Sequence, residues 1–330
     1  MVTDRLEQAC DVVVIGGGAA GLNGALMLAR ARRSVVVVDA GQPRNAPADA
    51  VHGLLGREGT PPAELLERGR QEVRGYGGGV VTGVVAGAVR DGDRFAVSLA
   101  DGRSVRARRL LVTTGLVDEL PDVPGLREQW GHGVVHCPYC HGWEVRDRAI
   151  GVLATGPMSV HQALLFRQWS PDVVLLTHAQ PSPSDDDLEQ LAARGIRVVP
   201  GPVASVRTAA GRITGLRLAD GGVVDREVVA VAPRMVARGA VLAGLGLVPQ
   251  EHPSGMGQHL ACDPTGRTEV AGVWVAGNVT DLAAQVGAAA AAGAMAGAQI
   301  NADLVLEETR TAVEAHRRST RTLEGRAPVG

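Results

Sequence analysis

The chain has 330 residues, 45% of them apolar and 2% aromatic, with a formal net charge of −2 and a pI near 6.5. That length supports two domains with cores of their own, the near-neutral charge points away from nucleic acid, and no apolar run is long enough to span a bilayer. All 33 basic residues are arginine, which excludes chemistry that needs a lysine, such as a pyridoxal Schiff base or a P-loop.

Residues 1–10 carry Asp4, Arg5 and Glu7 and lead directly into an apolar strand, with no basic, apolar and small-residue succession of a secretory leader, so a cytoplasmic globular enzyme is expected. Residues 11–15 read as a buried strand, residues 16–21 (GGGAAG) as a glycine turn, and the alanine- and leucine-rich stretch to about residue 32 as a helix. A second strand, 34–38, ends in Asp39, eighteen residues after Gly21, where a carboxylate can hold a ribose 2′-hydroxyl. Gly16 makes the tight turn, Gly18 lets the backbone approach a pyrophosphate, and Gly21 lets the helix pack on the strand. Strand, turn, helix and acid in register make a dinucleotide site, although Asp39 does not by itself separate FAD from NAD.

A glycine-, proline- and arginine-rich excursion, 41–79, surrounds one expected helix at 62–74. Residues 80–105 alternate as short strands with turns at Asp91-Gly92 and Asp101-Gly102, the pattern of a β-meander. A further buried strand at 109–113 ends in Thr114-Gly115, on the far side of the same nucleotide site. Pro121, Pro124 and Gly125 mark a linker.

The chemistry concentrates at residues 137–144, CPYCHGWE. Two cysteines separated by two residues can close a disulfide, and beside a βαβ unit the pair is a redox motif whose reactivity depends on a lowered thiol pKa. Pro138 suits the first turn of a helix, where its missing N–H is no loss. Two other readings stand beside this one. Structural zinc needs a second ligand pair, whereas Cys10 and Cys262 stand alone. Attachment of a c-type haem through Cys-x-x-Cys-His needs export, for which the N-terminal residues offer no signal.

Past this motif lies a second βαβ unit, with strand 149–153, turn 154–159, helix 160–169 and strand 172–176. Ala154 stands where a glycine should make the turn, and Met158 is bulky where a phosphate should approach. Residues 177–180, THAQ, supply no arginine for a 2′-phosphate, and Arg194 and Arg197 read as solvated. The unit therefore reads equally as a packing element and as a nicotinamide site. Near the end come a strand at 272–276, the turn 277–281 and a small-residue helix at about 283–304, whose positive N-terminus can face a cofactor. Residues 307–330 read as a charged surface helix followed by disorder.

GGGAAG with Asp39, Thr114-Gly115, CPYC and the run 273–278 (VWVAGN) resemble, in order and spacing, the thioredoxin reductase-like flavoproteins. Within that group CPYCHGWE and the altered second turn are most similar to the dithiol oxidases that close disulfides in natural products such as gliotoxin and holomycin. The resemblance implies an α/β fold of two Rossmann-like three-layer domains of the thioredoxin/glutathione reductase type, the second inserted in the first. It implies an FAD domain formed by residues 1–116 and 239–330, a CxxC-bearing degenerate NAD(P)-type domain at 117–238, and a homodimer.

By the same resemblance FAD contacts fall on Gly16, Gly18, Ala19, Ala20, Gly21, Asp39, Ala40, Thr114, Gly115, Gly277, Asn278, Gln285 and Val286. The resemblance gives the roles of Cys137 and Cys140; His141 is the expected base, with His136 as an alternative, and Glu144, three residues past His141, is placed by helical spacing to orient it. The expected reaction is oxidation of a small dithiol, with O2 taking the electrons and yielding H2O2. An NAD(P)H-dependent disulfide reductase and an FAD-binding redox sensor are the alternatives. Reductases of the group carry Asp where this chain has His141, which favours base chemistry here. Flavoproteins of this type commonly carry Gly-Asp where it has Gly277-Asn278, which slightly weakens one expected FAD contact. The loops 42–59 and 249–260, expected to shape the substrate pocket, carry no readable code.

Overall fold

The computed structural model describes residues 6–324, with side chains described up to residue 320. The valine run of β1 (Ala9–Ile15) is covered on both faces, and Val12, Val13 and Val14 have no exposed surface, as a central parallel strand requires. After α1 (Ala19–Arg30) the chain returns as β2 (Val35–Asp39), parallel to β1. Beyond α2 (Pro62–Gly75), β3 (Gly79–Thr82) adds to β2 in parallel, so the start of the expected meander extends the nucleotide-type sheet instead.

The meander itself is β4 (Val85–Asp91), β5 (Arg94–Leu99) and β6 (Ser104–Val112), turning at Gly92 and Gly102, both with positive φ. The buried strand expected separately at 109–113 is the second half of β6. Its first half pairs antiparallel with β5, and its second half slides between β1 and a late strand, both parallel to it. One strand therefore alternates in burial where it has a solvent face and becomes continuously apolar where it has none.

β7 (Leu116–Glu119) leads out of this sheet into a second one. There β8 (Val134–Val135) precedes the single turn α3 (Pro138–His141), followed by β9 (Ile150–Leu153), α4 (Ser159–Phe166), β10 (Val173–Leu176), α5 (Asp185–Ala193) and β11 (Arg197–Val199). An antiparallel excursion, β12 (Val203–Ala209), β13 (Arg212–Leu218) and β14 (Val223–Val224), intervenes before β15 (Val228–Val231). The second sheet is parallel throughout, in the order β11-β10-β9-β15-β8. The helix expected to reach residue 169 stops at Phe166. Trp169 instead turns under Gly142, where a Cβ would come within 2.7 Å of its ring, and meets Tyr139 edge-on at 5.7 Å. Both contacts fasten the cysteine segment to this sheet.

β16 (Arg234–Ala237) returns antiparallel to β7, and with β17 (Gln250–Glu251) and β18 (Gly257–His259) makes a small sheet where the chain passes twice between the two parallel ones. β19 (Val273–Val275) is the late strand beside β6, and α6 (Val286–Glu324) closes the described chain. The charged segment expected from residue 307 is thus the continuation of α6. Glu307 and Glu308 are turned toward the protein, pairing with Arg108, Arg109 and Arg33. The end of the expected disordered tail, 325–330, lies outside the described residues. Among the described residues no helix is long and apolar enough to cross a membrane.

The small residues of α6 let it press against α1. A Cβ on Gly293 would lie 1.9 Å from the Ala20 carbonyl oxygen, and one on Gly297 would lie 2.7 Å from that of Gly24. Gly293→Ala should therefore destabilise the protein by about 1–3 kcal/mol, the usual range for overpacking, because backbone rather than a flexible side chain must move. Because Ala20 belongs to the first turn of α1, the same variant should release cofactor more readily. Urea unfolding and cofactor retention on gel filtration measure the two effects.

Candidate active site

The glycine turn joins β1 to α1. Gly16 has φ +107°, and a Cβ there would sit 2.4 Å from the Thr113 carbonyl oxygen. The Thr113 hydroxyl fixes the turn from the other side, donating toward the carbonyls of Ile15 at 3.1 Å and Gly16 at 2.8 Å. At Gly21 a Cβ would fall 1.9 Å from the Gly16 carbonyl oxygen, so the helix can lie against the strand end only without a side chain there. Gly18 differs: nothing lies within 4 Å of its would-be Cβ, and it gives α1 no side-chain cap. The unpaired N–H groups of the first turn are thus open to an anionic ligand.

Asp39 ends β2 beside this turn, so close that a Cβ on Gly17 would meet its Cγ at 2.6 Å. Its carboxylate accepts from the Gly41 amide at 3.1 Å and from Arg70 Nη2 at 3.2 Å. Arg70 is 8% exposed and was not anticipated. The sequence held a signal, since Arg70 occupies the buried stripe of α2 between Leu66 and Val73 at helical spacing. Farther along, the Thr114 hydroxyl is buried without a hydrogen-bond partner, and Gly277 has φ +78°, where a Cβ would come within 2.9 Å of the Ala20 methyl. Asn278 spends its amide N–H groups on the carbonyls of Asp281 and Ala284, both at 2.9 Å, and so shapes the loop into α6. That use delays the helix from the expected residue 283 to Val286.

A cavity of about 1300 Å³ runs from this turn to the cysteines. It is larger than the ~300–1,000 Å³ of an ordinary small-molecule pocket and leaves room for a dinucleotide and a second molecule. All the expected cofactor residues line it except Gly21, whose place is in packing. Both unreadable loops contribute to its wall, the first through Arg44 and His52, the second through Ser254 and Met256. Open space at Gly18, uncapped amides and the orphaned Thr114 hydroxyl together fit FAD.

Cys137 and Cys140 are joined in a disulfide, with Cα atoms 5.2 Å apart, and both face this cavity. Cys137 caps α3, Pro138 takes its first position, and Gln162 of α4 donates to the His136 carbonyl at 2.9 Å, fixing the approach. The other thiols lie elsewhere. Burial, with Asp11 and Glu7 nearby, pushes Cys10 up to about 12, and Cys262 is exposed beside Thr280. Among the described residues no group of three or more His, Cys, Asp or Glu could hold a metal.

Both candidate bases line the cavity. Burial holds His136 below the usual histidine range, with the Arg44 charge adding to it, and its Nδ1 lies 3.3 Å from the Val231 carbonyl. Burial also depresses His141, against the pull of Glu144, and its Nδ1 has no hydrogen-bond partner. A depressed imidazole is neutral near neutral pH and able to accept a proton. Glu144 does not orient it as expected. The helix ends at His141, and the Glu144 carboxylate faces His52 Nε2 at 3.5 Å.

The second turn is occupied from within. The amides of Thr155 and Gly156 donate to the Ser159 hydroxyl at 3.0 and 3.3 Å, and the Thr155 hydroxyl donates to the Ala232 carbonyl at 2.8 Å. Groups that could face a pyrophosphate are thereby satisfied, and Met158 stands 51% exposed before them. His178, in a left-handed conformation, accepts from the Val203 amide at 3.0 Å.

The family model for pyridine nucleotide-disulphide oxidoreductases matches residues 10–298. The thioredoxin reductase tcpT of Claviceps purpurea (strain 20.1) is 32% identical over 309 residues, covering 89% of this chain and 95% of that protein. Among solved structures, that of HlmI is similar with a TM-score of 0.89 at 46% identity, covering 97% of this chain and 100% of the other. An oxidoreductase from Agrobacterium tumefaciens gives 0.85 at 36%, covering 90% and 99%.

Proposed function

The chain belongs to the pyridine nucleotide-disulphide oxidoreductase family as a thioredoxin reductase-like, FAD-binding enzyme, and from that premise we propose that it oxidises a small-molecule dithiol to an intramolecular disulfide. The observation that carries this reading is a single cavity bearing an open dinucleotide turn and a disulfide, beside a second turn that its own Ser159 fills. Division at 116/117 and 238/239 and assembly as a homodimer belong to the same proposal.

The first turn of α1 would hold the pyrophosphate and Asp39 a ribose hydroxyl, with Thr114, Gly115, Gly277 and the start of α6 around the rest. FAD supplies a two-electron acceptor that O2 restores, with H2O2 as product. His141, or His136, takes the proton of one substrate thiol. The thiolate attacks Sγ of Cys137, the Cys137–Cys140 bond breaks, and Cys140 leaves as a thiolate. The second substrate thiol, once deprotonated, attacks the substrate sulfur of this mixed disulfide, and Cys137 leaves as the cyclic disulfide forms. The substrate has then lost two protons and two electrons, and the enzyme holds the reduced pair.

Oxygen uptake tests the reading. A panel of small dithiols should drive O2 consumption and H2O2 release with no pyridine nucleotide present. Anaerobic NADPH should leave the yellow absorbance unchanged, whereas dithiol should bleach it. Saturable bleaching by NADPH would transfer the case to a disulfide reductase, and turnover with neither would favour a sensor.

A further inference from the structure

His141 stands between two cavities. Besides the main one, it lines a second of about 740 Å³ whose wall carries Asp49, His52, His132 and Glu144, together with Arg148, Arg212 and Glu227. No step of the proposed chemistry uses this polar chamber, yet it abuts the group that must lose a proton in every cycle.

From the far side of His141 a chain of titratable groups leads outward. Glu144 Oε1 lies 3.5 Å from His52 Nε2, and His52 Nδ1 lies 2.6 Å from Oε1 of Glu58. Glu58 is 66% exposed, and its other oxygen accepts from the Gly53 amide at 2.9 Å. The hydrogen bond from His52 and that from Gly53 hold the Glu58 carboxyl below its usual range, so it is a carboxylate at neutral pH. A carboxylate only accepts, so His52 donates through Nδ1 to Glu58, and its Nε2 faces the Glu144 carboxyl. His52 therefore has an acid at each end of its ring, and the one at Nδ1 is exposed. The chamber between His141 and Glu144 is polar and far larger than a water molecule, so water can complete the path.

We propose that His52, between Glu144 and Glu58, relays to solvent the proton that His141 takes from the substrate thiol. This deepens the dithiol-oxidase reading and rests on it. The proton passes from His141 through water and Glu144 to His52 Nε2, the Nδ1 hydrogen passes to Glu58 and on to bulk water, and no electrons move along the route.

The test uses the holoenzyme and dithiothreitol. His52→Gln keeps a polar side chain but cannot carry a proton. Its kcat should fall about 10-fold, less than the ~100-fold minimum expected for loss of a general base. A solvent deuterium isotope effect on kcat should appear or grow, and added imidazole should restore the rate in proportion to its concentration. Glu144→Gln should show the same isotope effect and rescue, which keeps the test valid should His52→Gln fold poorly. Wild-type kcat in both variants, or a slow rate that imidazole does not restore, overturns the relay. If instead dithiothreitol fails to bleach the wild-type flavin, the dithiol-oxidase reading itself has failed, a result these variants do not mimic.

Discussion

Cys137→Ser and Cys140→Ser are each expected to reduce dithiol-driven oxygen uptake by about 1,000-fold or more, the scale on which enzymes lose activity with their nucleophile. The two variants should nevertheless differ. Only one bond in the described chain is open to thiolate attack, the Cys137–Cys140 disulfide, and either serine removes it. If Cys137 meets the substrate and Cys140 the flavin, Cys137→Ser leaves a lone Cys140 thiol against FAD, and a long-wavelength absorption band should accompany its ionisation. Cys140→Ser should lack that band and retain a substrate thiol as a mixed disulfide on Cys137 once an oxidant supplies the bond, detectable by intact mass. Exchange of these two signatures would reverse the assignment of the sulfurs. Full oxygen uptake in either variant would mean that the substrate reduces the flavin without the cysteines.

Much of this was legible in the sequence because the features concerned are local. GGGAAG states its turn through residues whose roles depend on contacts a few positions away: Gly16 needs positive φ, and Gly21 meets the carbonyl of Gly16 itself. CPYCH likewise carries its disulfide within one turn. What escaped depends on distant chain. The meander and the buried strand at 109–113 are one strand because β19, more than 150 residues later, covers its second half. The charged segment after residue 306 reads as solvent-facing until Arg108 and Arg109, from β6, are placed beneath it.

The site shows the same division. Asp39 was readable, but its partner Arg70 was not, because a lone arginine on an apolar stripe has meaning only once the stripe faces a carboxylate. Glu144 was read by helical spacing, and the helix stops at His141. Its actual partner, His52, comes from an excursion with no periodicity at all, held in place by an isolated bridge between Val51 and Thr60. The closure of the second turn by Ser159 also lay outside the reach of pattern. The sequence pointed to Ala154 and Met158 as the defects, whereas the amides are satisfied by a hydroxyl that any phosphate-binding helix could carry.

His141→Ala is the other large effect. Burial lowers the His141 pKa, so its ring becomes a competent base at a pH below the 6.5 of an ordinary histidine. For the wild type the sign follows directly: kcat/KM should rise with pH through a midpoint under 6.5 as the imidazolium loses its proton, then hold level across neutrality. Removing the ring should reduce kcat/KM at neutral pH by about 100- to 10,000-fold, the usual span for a lost general base. The acid limb should vanish with it, replaced by a rate that climbs toward the substrate thiol pKa, about 8.5 for an unperturbed thiol, as the substrate supplies its own thiolate. The deficit should therefore shrink at alkaline pH, which simple misfolding would not produce. His136 is the control, since it lines the same cavity with an imidazole also depressed by burial. Should His136→Gln lose the acid limb while His141→Ala keeps it, the base is His136. The relay through His52 would then have no donor, because the second cavity is bordered by His141 and not by His136.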